Sequence, residues 1–397
     1  AEIRPLADGP IGKTEDRPQQ LSGENPGNFV ITDDFKLGQG TDGDKISGNL
    51  NAIRTLREIQ KENRYPTKAE QATMARYVGW GGLKTVFDPK KADATDQYGK
   101  AQRELKALLS PDEYRAANGS IRNAHYTAEG IVDGMWRVMR FMGFKGGRAL
   151  EPTVGIGNFV GRMPADMAAS TEWHASELDT TTGQLAAMLY PEANILASTG
   201  FQDAPFADGA FDISVGNPPF GAQTILDKSP NRKHLNGQKI HNYIIAKAGM
   251  HLRPGGVMSM VVTHRFLDTA TPEARDVLAK DFRFLGAFRL PNDAFKKNAG
   301  TDVVTDVVFL QKLGAEEKRE RDSSWLDVNG SITVDGQAIR VNRYYQDNPA
   351  HILGRSAMDG SMQRTGEAEY TVHSDGRDIG KSIDELMQTG FQHMAGV

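Results

Sequence analysis

The chain contains no cysteine, which excludes disulfides and thiolate-held metal centres. Its nine histidines follow no HExxH or related spacing, so no metal is expected. No apolar run reaches the roughly 18 residues that a membrane span requires. The opening AEIRPLADGPIGKTEDRP has no apolar centre of the kind found in signal peptides, and a cytoplasmic location is the expectation. An excess of positive charge is also missing. The net charge is −4, so a nucleic-acid partner would have to meet a local patch. KSPNRKHLNGQKIH, residues 228–241, is one such patch: Lys228, Arg232, Lys233 and Lys239 stand there without an acid.

What is present is an ordinary globular composition, 39% hydrophobic and 25% charged over 397 residues, enough for one large domain with appendages. Residues 1–45 are rich in Gly, Pro, Asp and Gln and read as an extended or disordered arm. Residues 46–118 read as a helical region. Leu50, Ile53, Leu56 and Ile59 recur at helical spacing, Thr67 with Glu70 forms a capping box, and Ser110-Pro111 with Glu113 opens another helix. From 119 to 313 the rhythm alternates between helix and strand. Seven strand-like runs lie at 148–154, 172–179, 193–199, 211–217, 256–264, 282–290 and 301–313, and helical segments separate most of them. Strands spaced by helices form a mostly parallel sheet covered on both faces. No helix separates the last two runs, so the final strand is expected to be antiparallel. Residues 314–397 form a C-terminal appendage, read as a DNA contact or linker, with short strands in VNGSITVDGQAIRVNRYY and a helix capped at Ser382.

Ligands of such sheets bind beyond the carboxyl ends of the strands. The first run ends in EPTVGIGNF, where Gly155 and Gly157 permit a tight turn and close backbone approach. Dinucleotide enzymes use the same device, but here the third glycine falls at 161, one place late for that fingerprint. Glu177 ends the second run, twenty residues after Gly157, where a carboxylate accepts hydrogen bonds from ribose hydroxyls. Glu151 would repel a phosphate yet suit the sulfonium and amine of S-adenosylmethionine. GWGGLKT, residues 79–85, imitates a phosphate loop, but Leu83 occupies the required glycine position and no strand precedes it.

The fourth run, DISVG, leads into Asn217-Pro218-Pro219-Phe220. Two consecutive prolines make a rigid corner without N–H donors. The Asn217 side-chain oxygen and the Pro218 carbonyl are suited to hold the two hydrogens of one amino group. Held so, the nitrogen lone pair leaves conjugation, and the charge that builds during transfer is stabilised. Phe220 offers a stacking face. A base inside a duplex would have to be flipped out to reach it.

These motifs resemble the γ-class N6-adenine DNA methyltransferases over residues 119–313. The resemblance implies a class I S-adenosylmethionine-dependent methyltransferase fold, Rossmann-like, with a seven-stranded mostly parallel sheet and an antiparallel last strand. It implies transfer of a methyl group to N6 of a flipped adenine, catalysed at Asn217, Pro218, Pro219 and Phe220. HYT at 125–127 is similar to the motif that packs on the cofactor, giving Tyr126 and Thr127 that role. The implied cofactor site adds Glu151, Thr153, Gly155, Gly157, Asn158, Phe159, Glu177 and Leu178. The family often has Asp-Phe after the third strand. Here Gly200 and Phe201 stand in that place, so Phe201, Gln202 and Asp203 are the candidates for the cofactor's adenine. DAFKKNAGTDVVTDVVFL is similar to a later motif whose aromatic helps hold the extruded base, a role that falls to Phe295. Lys228, Arg232, Lys233 and Lys239 are the candidate DNA contacts. The NRYPTKAEQATMARYVGWGGL stretch resembles the entry to large phage and plasmid methylase-helicase proteins, implying a bacterial host, virion packaging as an option, and a helicase or specificity partner. Enzymes that methylate glutamine N5 in proteins or guanine N2 in RNA carry the same tetrapeptide and remain alternatives. So does a non-catalytic DNA-binding or anti-restriction component.

Overall fold

The computed structural model describes residues 21–121, 127–295, 303–317, 322–360 and 369–397. At its centre is a seven-stranded sheet formed by β1 (Gly147–Glu151), β2 (Thr171–Glu177), β3 (Asn194–Ala197), β4 (Phe211–Gly216), β5 (Leu252–Thr263), β6 (Phe282–Leu290) and β7 (Thr305–Lys312). The spatial order is β3-β2-β1-β4-β5-β7-β6. Neighbours run parallel from β3 to β5, whereas β7 lies antiparallel to both β5 and β6. This is the class I S-adenosylmethionine-dependent methyltransferase fold expected from the sequence. β7 is the antiparallel neighbour of β6 as well as of β5, and an antiparallel return does not need the long crossover that a parallel one does.

Burial explains the strand composition. All six residues of β4 are buried, as a central strand covered on both faces requires. Its one charge, Asp212, is compensated by Arg253 at 2.6 Å and by the Arg148 backbone N–H at 2.7 Å. Along β5 the side chains alternate between two cores. Val257 and Val261 pack with Met135, Val138 and Leu185, while Met258, Met260 and Val262 pack with Ile245 and Leu252 on the other side.

Among the described residues five α-helices precede the sheet: Asp42–Glu62, Lys68–Met74, Gln97–Leu108, Pro111–Ser120 and Glu129–Phe141. Thr67 with Glu70 and Ser110 with Glu113 form the expected capping boxes, and Leu50, Ile53, Leu56 and Ile59 are buried. After the sheet come the hairpins β8 (Gly330–Val334) with β9 (Gln337–Val341), and β10 (Arg355–Gly360) with β11 (Glu369–His373).

The last long helix begins earlier than its sequence signal. It spans Ile379–Thr389, with Asp378 accepting from the Lys381 N–H at 2.8 Å. Ser382 is therefore inside the helix and buried, donating to the Asp378 carbonyl. Asp378 displaces Ser382 as cap because starting there turns Ile383 and Leu386 onto the Glu129–Phe141 helix. Gly134 of that helix leaves the room that Ile383 fills. Among the described residues no helix is long and apolar enough to cross a membrane.

Candidate active site

The carboxyl ends of β1, β2 and β4 open onto a cleft of about 450 Å³. It is built from three short turns. After β1, Pro152 is held by Ser176, whose hydroxyl donates to the Pro152 carbonyl at 2.7 Å. The chain then turns through Gly155 and Gly157, both at positive φ. After β2, Glu177 accepts from the Gly155 N–H at 2.9 Å through one oxygen and from the Asp179 N–H at 2.8 Å through the other. After β4, Asn217 and Pro219 form the third part of the wall.

Electrostatics mark the cleft as a place for a cation and hydroxyl donors. Glu151 is buried, and desolvation, reinforced by the Glu177 charge, raises its pKa well above the usual carboxylate range. Glu177 is raised to about 7, again by burial first, against the opposing pull of its backbone donors. Four buried oxygens here lack a partner among the described residues: Glu151 Oε2, Thr153 Oγ1, Asn158 Oδ1 and Asp179 Oδ2. Buried acceptors without donors are costly. A ligand bearing an ammonium, a sulfonium and a ribose would satisfy them, so the residues present fit S-adenosylmethionine.

Most of the expected cofactor residues meet in this cleft. Thr127, Glu151, Thr153, Gly155, Asn158, Phe159, Glu177, Leu178, Phe201 and Gln202 all line it. Two do not. Gly157 is a packing glycine: its φ is +83°, and a Cβ there would strike the Tyr190 ring. Asp203 is exposed and accepts from Gln202 at 2.9 Å outside the wall. Tyr126 lies outside the described residues.

The Asn217–Phe220 tetrapeptide, expected to be catalytic, is divided between two spaces. Asn217 and Pro219 face the cofactor cleft and Pro218 is buried between them. Phe220 instead lines a second cleft, of about 670 Å³, at the ends of β5 and β6. The corner is thus a partition. Phe295 is in neither cleft. It is 1% exposed within the core, and the structure corrects its assignment as a base-holding aromatic, because its ring has no free face. Of the cationic loop, Lys228, Lys233 and Lys239 are exposed. Arg232 is committed to Asp208 at 2.5 Å and is 14% exposed, so its charge is already compensated.

Three contributions escaped sequence reasoning. Ala116, Gly119 and Ser120, from the helix ahead of the sheet, close one side of the cofactor cleft, a placement only the tertiary fold reveals. Asp179 both caps the Thr180–Leu189 helix, accepting from Thr182 N–H at 2.7 Å, and lines the cleft. An acid just ahead of a helical run was the available signal. Lys247 is buried and donates to the Phe201 and Gln202 carbonyls at 2.7 and 2.8 Å, with Asp227 at 3.5 Å. It ties the loop after β3 to the segment that follows the tetrapeptide. Desolvation lowers its pKa to about 8.

Residues 168–295 match the Eco57I restriction-modification methylase family. The matched segment contains Glu177, Phe201 and Asn217 to Phe220. The chain is also 31% identical over 276 residues to defense against restriction protein B of Escherichia phage P1, an alignment that covers 69% of this chain and 12% of the phage protein. The protein therefore spans only a small fraction of that curated relative's length. Among solved structures it is similar to the type I restriction-modification methyltransferase subunit of Streptococcus thermophilus, with 19% identity, coverage of 67% of this chain and 66% of the other, and a TM-score of 0.41. It is likewise similar to the M protein of the type I restriction enzyme EcoKI, with 11% identity, coverage of 87% and 88%, and a TM-score of 0.39.

Proposed function

We propose that the protein transfers a methyl group from S-adenosylmethionine to the exocyclic N6 of an adenine extruded from DNA. The observation that carries this reading is the partition itself. A proline-stiffened Asn217–Phe220 corner has its acceptor residue on the cofactor cleft and its aromatic ring on a separate space large enough for a base. When bound, S-adenosylmethionine supplies an electrophilic methyl group.

The protein's own residues do the rest. Glu151, Thr153, Glu177 and Asp179 hold the donors of the cofactor, while Leu178 and Phe201 provide apolar walls for its flat ring. Asn217 Oδ1 and the Pro218 carbonyl accept the two amino hydrogens, draw the nitrogen lone pair out of conjugation, and stabilise the developing positive charge. One of those hydrogens departs as a proton once the new bond forms. Phe220 stacks on the base from the other side. Lys228, Lys233 and Lys239 attract the phosphate backbone.

The name of the phage relative favours a protective setting, in which methylation shields DNA from restriction. A non-catalytic protective component is the competing reading. The test is tritiated methyl transfer from S-adenosylmethionine to plasmid DNA, ribosomal RNA and protein, with wild type and Asn217→Ala. Transfer to DNA alone, lost in the variant, supports the proposal. Transfer to RNA or protein instead would replace it, and DNA protection that survives Asn217→Ala would favour the binder.

A further inference from the structure

The second cleft has a wall that no motif foretells. Phe220 and Gly221 form one side, Thr263 ends β5 with His264 and Arg265 after it, and Asn292 and Asp293 follow β6. The remaining side is the β10–β11 pair of the C-terminal region, contributing Asp359, Gly360, Glu369, Tyr370, Thr371 and His373. The hairpin is fixed in place. The Asn292 N–H donates to the Val372 carbonyl at 2.7 Å and its side chain to Thr371 Oγ1 at 3.1 Å, while Arg265 pairs with Glu369 Oε1 at 2.6 Å.

Two features of this wall point to a ligand. Tyr370 is half-buried and held from several directions. The Arg289 guanidinium lies 5.5 Å from its ring centroid, the His264 ring 6.3 Å away, and Ser356 Oγ 3.1 Å from its hydroxyl. Arg289 is itself pinned under the cleft by Asp306 at 2.7 Å. Glu369 carries the second feature: its side chain is 11% exposed, and its other oxygen, Oε2, is buried without a partner among the described residues. A buried free acceptor calls for an N–H or O–H donor. Asp293 and Asp359 line the same space, so a phosphate would be repelled from its interior.

We propose that the β10–β11 strands are a substrate-reading wall for an unstacked, amino-bearing nucleobase adjoining the target adenine, with Tyr370 as a stacking face and Glu369 Oε2 as acceptor of that neighbouring base's N–H. Arg265, more than half exposed at the rim, meets the backbone outside. This rests on the DNA reading above and extends it: the C-terminal region reads a base beside the target, and the catalytic corner does the chemistry on the target itself.

The test measures methyl transfer to DNA and binding of fluorescent (dA)12 and (dT)12 single strands, with S-adenosylhomocysteine affinity as the check on folding. Loss of one base–aromatic stack should cost roughly 10-fold. Tyr370→Leu should therefore raise KM for DNA and Kd for (dA)12 by about that factor, while Tyr370→Phe stays within about twofold. Glu369→Gln should lower the (dA)12 over (dT)12 preference. S-adenosylhomocysteine affinity should be unchanged in all three. If wild type methylates DNA and both Tyr370→Leu and Glu369→Gln behave like it, the hairpin is not a reader and this inference fails alone. If wild type transfers no methyl to DNA, the parent reading fails and takes this one with it. Should Tyr370→Leu lose S-adenosylhomocysteine binding through misfolding, Glu369→Gln against Tyr370→Phe decides: equal preference in both overturns the proposal.

Discussion

At the scale of residues, the cofactor cleft concentrates two carboxyl groups that water would ionise and the protein resists ionising. Glu177 titrates near 7 and Glu151 higher than an ordinary carboxylate. The native state holds these protons more tightly than the unfolded chain, so without ligand its stability falls as pH rises from the unfolded value of 4.5 toward 7. A cationic cofactor reverses the preference by favouring the charged forms. S-adenosylmethionine affinity should therefore rise with pH up to about 7, with proton release on binding, measurable by calorimetry in buffers of different ionisation enthalpy. The neutral-sulfur product should show a weaker pH dependence. Asn217→Ala removes one of two acceptors and should lower methyl transfer by roughly 100-fold or more, with S-adenosylhomocysteine affinity nearly unchanged in direct titration. Lys247→Met removes a buried cation from two carbonyls and a carboxylate. It should cost about 1–3 kcal/mol in chemical denaturation and raise KM for the cofactor, since the Phe201 loop loses its tether.

At the scale of elements, what was legible in the sequence was what neighbouring residues decide. The run into Asn217 announces a buried strand and a rigid corner within ten positions, and Glu151 and Glu177 sit at strand ends that periodicity alone locates. Glycine roles were only half readable. Gly155 and Gly157 share a motif, yet one lines the cleft and the other accommodates Tyr190 from a helix end some thirty residues later. Gly157→Ala should thus destabilise the fold by about 2 kcal/mol or more, through positive φ and overpacking together, seen as a lower thermal midpoint. Phe295 misled because aromatic character is visible in a sequence and burial is not. Asp378 was passed over as a cap because the pairing of Ile383 with Gly134 spans some 250 positions.

At the scale of the whole molecule, segments before and after the sheet meet the sites that the sheet encodes. The Pro111–Ser120 helix closes the cofactor cleft, and β10–β11 closes the second one. Neither placement leaves a local trace, since each depends on residues far apart in the chain, such as Asn292 with Thr371, 79 positions apart, and Arg265 with Glu369, 104 apart. The molecule is slightly acidic overall, so under the proposed function attraction to DNA is local, and the exposed Lys228, Lys233 and Lys239 are its proposed source. Replacing all three with alanine should reduce the steepness of the salt dependence of binding by about two to three counterions, without altering S-adenosylhomocysteine affinity. The central claim is that this partitioned corner methylates an adenine amino group in DNA. Its most direct test is digestion of DNA incubated with the protein and S-adenosylmethionine, followed by mass spectrometry of the nucleosides. The account predicts N6-methyldeoxyadenosine, absent with Asn217→Ala; methylation confined to cytosine, or none on any base while RNA or protein is modified, would contradict it.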